Sequence, residues 1–68
     1  MKYKIGTKIH MKNPETGEGF EGEVISMNDD RMKGKIAFNG DVCVWFPELD
    51  WRTTYDPEFL DKNARILS

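Results

Sequence analysis

The sequence has one cysteine, one histidine and three prolines, and its longest apolar run is the five residues Val42 to Phe46. A single thiol excludes an internal disulfide, and a lone cysteine in a chain with no secretion signal suits a reducing cytoplasm, so a cytoplasmic location is expected. The N-terminal lysines Lys2, Lys4 and Lys8 are followed by no apolar stretch of the kind a signal peptide carries. An apolar run of five residues is far shorter than the roughly 20 that cross a bilayer as a helix, so no membrane partner is expected. One Cys and one His cannot make a structural zinc set. Gly17-x-Gly19 lacks the Lys-Ser/Thr that would follow it in a phosphate-binding loop, and no cofactor is expected. The chain also lacks any marked charge excess, with a net charge of −2. That balance argues against strong non-specific attraction to nucleic acid or anionic lipid.

What is present is the composition of one small soluble domain over residues 1–68: 38% hydrophobic, 32% charged and 12% aromatic residues. A chain this short buries only about 60% of the surface that its unfolded form exposes, so its core is small. Packing alone, or packing with a second copy of the chain, has to stabilise it. The charges are segregated. Lys2, Lys4, Lys8 and Lys12 open the chain, Arg31, Lys33 and Lys35 follow later, and acids concentrate between Glu15 and Asp30 and between Asp41 and Asp61.

The residues from Lys4 to Lys12 alternate, which predicts a first strand with Ile5, Ile9 and Met11 inward and Lys8, His10 and Lys12 outward. Pro14 to Gly19 is a polar loop and a candidate contact surface. Phe20 to Asn28 predicts a second strand with Phe20, Gly22 and Val24 on one face and Glu21 and Glu23 on the other. Val24 and Met27 as joint core residues then require a bulge near Ile25-Ser26. Asn28 to Arg31 predicts a hairpin tip and Lys33 to Phe38 a third strand, which would set Lys33 and Lys35 beside Glu21 and Glu23. Asn39-Gly40 signals a tight turn, with Asp41 extending it, into a fourth strand from Val42 to Phe46. Pro47 to Trp51 suits a 3₁₀ turn, because proline cannot continue a central strand. Thr53 to Tyr55 reads as extended or loop. Asp56-Pro57-Glu58 predicts a cap and a short helix to Lys62, and Ala64 to Leu67 a last short strand pairing with the first.

This order resembles the Src-homology-3-like small β-barrels, and among them Tudor and KOW domains. The likeness rests on Ile5-Gly6-Thr7-Lys8-Ile9, Gly22-Glu23-Val24, Ile36-Ala37-Phe38-Asn39-Gly40 and Val44-Trp45-Phe46-Pro47-Glu48-Leu49. The fold that it implies is an all-β, five-stranded barrel with a 3₁₀ turn and a short C-terminal helix or turn. A Tudor-like domain would place rings around a cationic side chain. Phe20 and Phe38 fall at two such positions, with Met11 in the first strand and Asp41 or Val42 at the hairpin. A KOW-like domain would imply RNA or the transcription and translation machinery as partner.

Two function classes follow. The first is a non-enzymatic binding module for a protein or peptide, using Phe20, Phe38, Trp45 and Asp41 with the loop Pro14 to Gly19. Trp45 faces outward if Val42, Val44 and Phe46 face the core; it is then either a contact residue or covered by Tyr55, Phe59 and Leu60. Trp51, after the 3₁₀ turn, is expected to close the barrel's open end. The second class is a nucleic-acid-associated module using Lys8, His10, Lys12, Lys33 and Lys35 with a ring for base stacking. A third, remoter reading is a small inhibitor presenting Glu48, Asp50, Asp56, Glu58 and Asp61 to a basic surface. A His10–Cys43 nucleophile pair is disfavoured because the two residues fall on strands that are not neighbours.

Overall fold

The computed structural model describes residues 2–13, 15–34 and 40–67. Five strands, β1 (Lys8–Lys12), β2 (Gly19–Ile25), β3 (Val42–Phe46), β4 (Trp51–Tyr55) and β5 (Ala64–Ile66), make one antiparallel sheet in the order β4-β3-β2-β1-β5. A short helix, α1 (Pro57–Asn63), joins β4 to β5, and 3₁₀ turns occupy Asp30–Met32 and Pro47–Leu49. The chain is therefore a mostly β small domain, with the 3₁₀ turn after Phe46, the helix from Pro57 and the return of the last strand to the first all where the sequence placed them. Strands β4 and β5 are the two edges. Among the described residues no ladder joins them, so the sheet is open and the expected barrel closure is not seen.

Several expectations about the strands are corrected. The strand predicted over Lys33 to Phe38 is replaced at its start by a turn through Lys33 and Gly34, where Gly34 takes a φ of 87°; residues 35–39 lie outside the described residues. β2 pairs with β3, and the stretch expected as extended or loop from Thr53 is the extended strand β4, which begins at Trp51. Its residues, Trp51, Thr53, Thr54 and Tyr55, are aromatic or β-branched and suit a strand. The chain reverses into it because Asp50 adopts a left-handed conformation (φ 46°, ψ 46°) and donates its N–H to the Pro47 carbonyl at 3.2 Å.

The bulge near Ile25-Ser26 is likewise absent. The β2–β3 register runs without interruption through Glu23↔Trp45, Val24↔Val44 and Ile25↔Cys43. The alternation slips because the sheet has apolar residues to bury on both faces. Ile25 packs with Cys43 and Met32 on the outer face, while Met27, expected inside, is 49% exposed. Ile5 is also outside, 72% exposed, because it precedes β1 in a turn where the Thr7 N–H donates to the Lys4 carbonyl.

The main core lies on the inner face. Ile9, Met11, Val24, Val42, Val44 and Phe46 supply it from the sheet, Tyr3 from the N-terminal segment and Leu60 from α1. Gly22 serves packing here. A Cβ on it would stand 2.7 Å from Val44 Cγ1 and 2.9 Å from Phe46 Cε1, so its missing side chain is the space those two groups fill. A seven-residue helix has too few hydrogen bonds to persist alone, so α1 depends on its ends and on burial. Asp56 Oδ1 accepts from the Glu58 N–H at 2.9 Å, Pro57 occupies the first turn, and Leu60 is fully buried. The Tyr3 hydroxyl donates to Asp61 Oδ1 at 2.6 Å, which ties the N-terminal segment to the helix. Burial, and then the Asp61 carboxylate, push the Tyr3 phenol up to about 12.

Candidate functional site

Strand parity decides which large side chains gather. Residues paired with an inward residue are themselves inward, so Phe46↔Trp51 and Val42↔Tyr55 bring Trp51 and Tyr55 to the core face, and Met11↔Phe20 does the same for Phe20. Phe59 then comes from α1, four residues after Tyr55 across the Asp56-Pro57 corner. The five rings of Phe20, Phe46, Trp51, Tyr55 and Phe59 line one groove of about 510 Å³. Met11 contributes to its floor, and Leu49, Lys12, Asn13, Glu15 and Asn63 complete its wall.

The rings are ordered against one another. Tyr55 and Phe59 stack in parallel, with centroids 5.3 Å apart and planes 4° apart. Phe46 meets Tyr55 edge-on at 6.5 Å and 88°. Asn63 Nδ2 donates to the Phe59 carbonyl at 2.9 Å and secures the end of the helix that carries this ring. Burial raises the Tyr55 phenol above its ordinary pKa. The outer part of the groove is open to solvent, since Trp51 is 48% and Phe59 47% exposed. No protein family, curated protein or solved structure matches the chain. The site therefore has to be read from its own geometry.

Trp45 lies away from this groove, on the outer face of the same sheet. The guanidinium carbon of Arg31 stands 4.6 Å from the centroid of its ring. Asp29 holds that guanidinium from two sides: Arg31 Nε donates to Oδ1 and Nη2 to Oδ2, each at 2.8 Å, and the Arg31 backbone N–H also donates to Oδ1 at 2.9 Å. These hydrogen bonds from Arg31 pull the Asp29 carboxyl down to about 2. The cover over Trp45 thus comes from the segment around the Asp30–Met32 turn. Of the two alternatives for Trp45, cover by Tyr55, Phe59 and Leu60 is not what is found, because those residues serve the opposite face.

The other predicted partner residues are dispersed. Phe20 is in the groove. Asp41 borders a separate cleft of about 330 Å³ with Tyr3, Ile5 and Met27, and Phe38 lies outside the described residues. Of the loop Pro14 to Gly19, Glu15 reaches the groove, and Pro14 lies outside the described residues.

Among the described residues, the predicted basic side chains are not gathered into one free stripe. Lys8 Nζ is paired with Glu23 Oε1 at 3.2 Å, so Glu23 meets a lysine of β1. His10 stands opposite Glu21, and its ring packs over Gly19. Lys12, at the end of β1, borders the groove. Lys33 is exposed in its turn, its carbonyl accepting from Arg52 Nη2 at 3.3 Å, and Lys35 lies outside the described residues. Arg65, opposite His10 on β5, adds a cation that the sequence reading did not single out.

His10 and Cys43 stand on β1 and β3, with β2 between them. Burial, and secondarily Asp41, raise the Cys43 thiol, which is the reverse of what an activated thiolate requires. Among the described residues no group of three or more His, Cys, Asp or Glu is placed to hold a metal ion, and no helix is long and apolar enough to cross a membrane.

Sequence reasoning missed Phe46, Tyr55 and Phe59 as site residues and took Trp51 for a closing residue. The signal available was the spacing of Trp51, Tyr55 and Phe59, each four residues apart. It is unreadable without knowing that a strand ends and a helix begins between the last two.

Proposed function

We propose that this chain is a binding module for a protein or peptide segment, with the aromatic groove between β4 and α1 as its contact surface. One observation carries the reading: five rings converge on a single groove, and the two outermost are left about half exposed in a domain too small to waste apolar surface. Aromatic side chains present large contact area with few rotatable bonds, which is why they dominate the energetics of binding surfaces. The return of β5 to β1 after a helical turn supports a relationship to the Src-homology-3-like barrels. In that reading the groove is the seam at which the sheet stays open.

The nucleic-acid reading stands second, because Lys8 and His10 on the outer face already stand opposite Glu23 and Glu21. The test is affinity capture from native cytosol with the wild-type chain and with Trp51→Ala, Phe59→Ala and Trp45→Ala, followed by titration of the captured partner. Loss with the first two variants and retention with Trp45→Ala is expected. Retention with all three sinks the groove as the contact surface.

A further inference from the structure

We infer that residues 29–34 are a lid, closed over the outer face of the sheet, whose release uncovers Trp45 and gates access to the Cys43 thiol. The ground is how the segment is held. Its backbone hydrogen bonds are local: the Met32 N–H donates to the Asp29 carbonyl, the Lys33 N–H to the Asp30 carbonyl, and the Asp29 N–H reaches back only to the Ser26 carbonyl. Among the described residues none of these joins the segment to a strand, so it can lift without breaking the sheet's ladders. Its ties to the sheet are made by side chains. Arg31 lies over the Trp45 ring at 4.6 Å, Met32 packs with Ile25 and Cys43, and Arg52 of β4 donates from Nη2 to the Lys33 carbonyl at 3.3 Å.

Both ends of the segment can turn. The chain enters through the Ser26–Asp29 turn, where the Asn28 N–H donates to Ser26 Oγ at 3.1 Å. It leaves through Gly34, whose φ is 87° and which has open space where a side chain would stand. The closed state also carries a cost that opening removes. Arg52 Nε is buried with no acceptor among the described residues, although the same guanidinium reaches Lys33. Water satisfies that donor once the lid lifts. Cys43 is 3% exposed, and its burial, with Asp41 second, raises the thiol above its ordinary pKa, so the closed protein presents an inert thiol. Opening removes the first of those causes and gives a small electrophile its way in. The lid lies on the face opposite the groove and does not depend on what the groove binds.

The probe is dithiobis(nitrobenzoate), applied to the full chain at urea concentrations below the unfolding transition. Cys43 is the single cysteine, and its thiolate attacks the reagent's disulfide, forming a mixed disulfide and releasing one coloured thiolate. Labelling is expected to be far slower than in the unfolded chain and to change little with urea, because lifting the lid exposes little surface. Arg31→Ala should speed it about threefold or more, and should speed amide exchange of Met32 and Lys33 by the same factor. Gly22→Ala, which disturbs the inner core, should leave the labelling rate below the transition unchanged.

A wild-type rate equal to that of the unfolded chain overturns the lid, since the outer face would then be open from the start. A rate that climbs with urea as steeply as the unfolding equilibrium, and rises in Gly22→Ala, overturns it in favour of access through global unfolding. Labelling and amide exchange that ignore Arg31→Ala overturn it as well, because Arg31 on Trp45 is the tie proposed to hold the lid shut.

Discussion

The two tryptophans sit six residues apart on one hairpin and end in opposite situations. Trp45 points to the outer face, where the protein's own Arg31 lies over its ring and Asp29 fixes that arginine. Trp51 points to the inner face, at the margin of the core, and nearly half of it meets solvent. The difference arises from strand parity and from the turn between them: the register sets Trp45 opposite Arg52 and Phe46 opposite Trp51. An aromatic residue with high β-propensity is equally at home on either face. What it can do depends on its surroundings: Arg31 lies over the Trp45 ring, whereas Trp51 joins four other rings along the groove.

The most disruptive way to break this comparison is Leu60→Ala. Leu60 is fully buried and anchors the helix that carries Phe59, so the substitution should cost about 2 to 5 kcal/mol, measured by urea unfolding. It should also separate the stacked rings of Tyr55 and Phe59, while the environment of Trp45 changes little below the unfolding transition.

Gly22→Ala comes next, at about 1 to 3 kcal/mol, because the new methyl meets Val44 and Phe46 at sub-contact distance and both are buried. Its effect should reach the groove through Phe46. A stability equal to wild type would mean that the floor of the groove yields more easily than its packing implies.

Phe59→Ala should cost about 1 kcal/mol or less in stability, because half of the ring is already in water, yet remove binding at the groove. Arg31→Ala should do the opposite. Binding is retained, and the Trp45 indole resonance and emission shift as its ring loses its cover. An Arg31→Ala protein that loses the partner would show that the two faces are not independent.

The smallest effect is in the titration of Asp29. Its folded carboxyl is held at about 2, below the ordinary carboxylate value near 3.9, so its contribution to stability is present above the ordinary value and is lost as pH falls toward 2. Carbon-detected carboxyl titration should place Asp29 near 2 in the wild type and near its ordinary value in Arg31→Ala. An unchanged value in the variant would mean that Arg31 is not the cause.

Local signals in the sequence proved readable where chemistry is local. Proline after Phe46 stops a strand, and Asp56-Pro57 caps and starts a helix whichever way the rest of the chain runs. The alternation in β1 and β3 identified Ile9, Met11, Val42, Val44 and Phe46 as core. Reading failed where burial on a second face broke the pattern. Ile25 and Cys43 are apolar on the outer side because Met32 returns over them, and the alternation offered no sign of that return. The groove was hidden for the same reason. Phe20 was visible as an inward residue of β2, but its companions Trp51, Tyr55 and Phe59 belong to a strand edge and a helix that meet it only after the sheet is assembled.

The sequence by itself determined the small size, the mostly β character, the single unpaired thiol and the positions of the proline-led turns, because each follows from composition or from the conformational limits of a few neighbouring residues. Only the tertiary structure decided which tryptophan is exposed and where the rings converge. Those outcomes depend on strand order and register, which bring residues as distant along the chain as Phe20 and Phe59 to one groove while placing Trp45 under Arg31 on the other face.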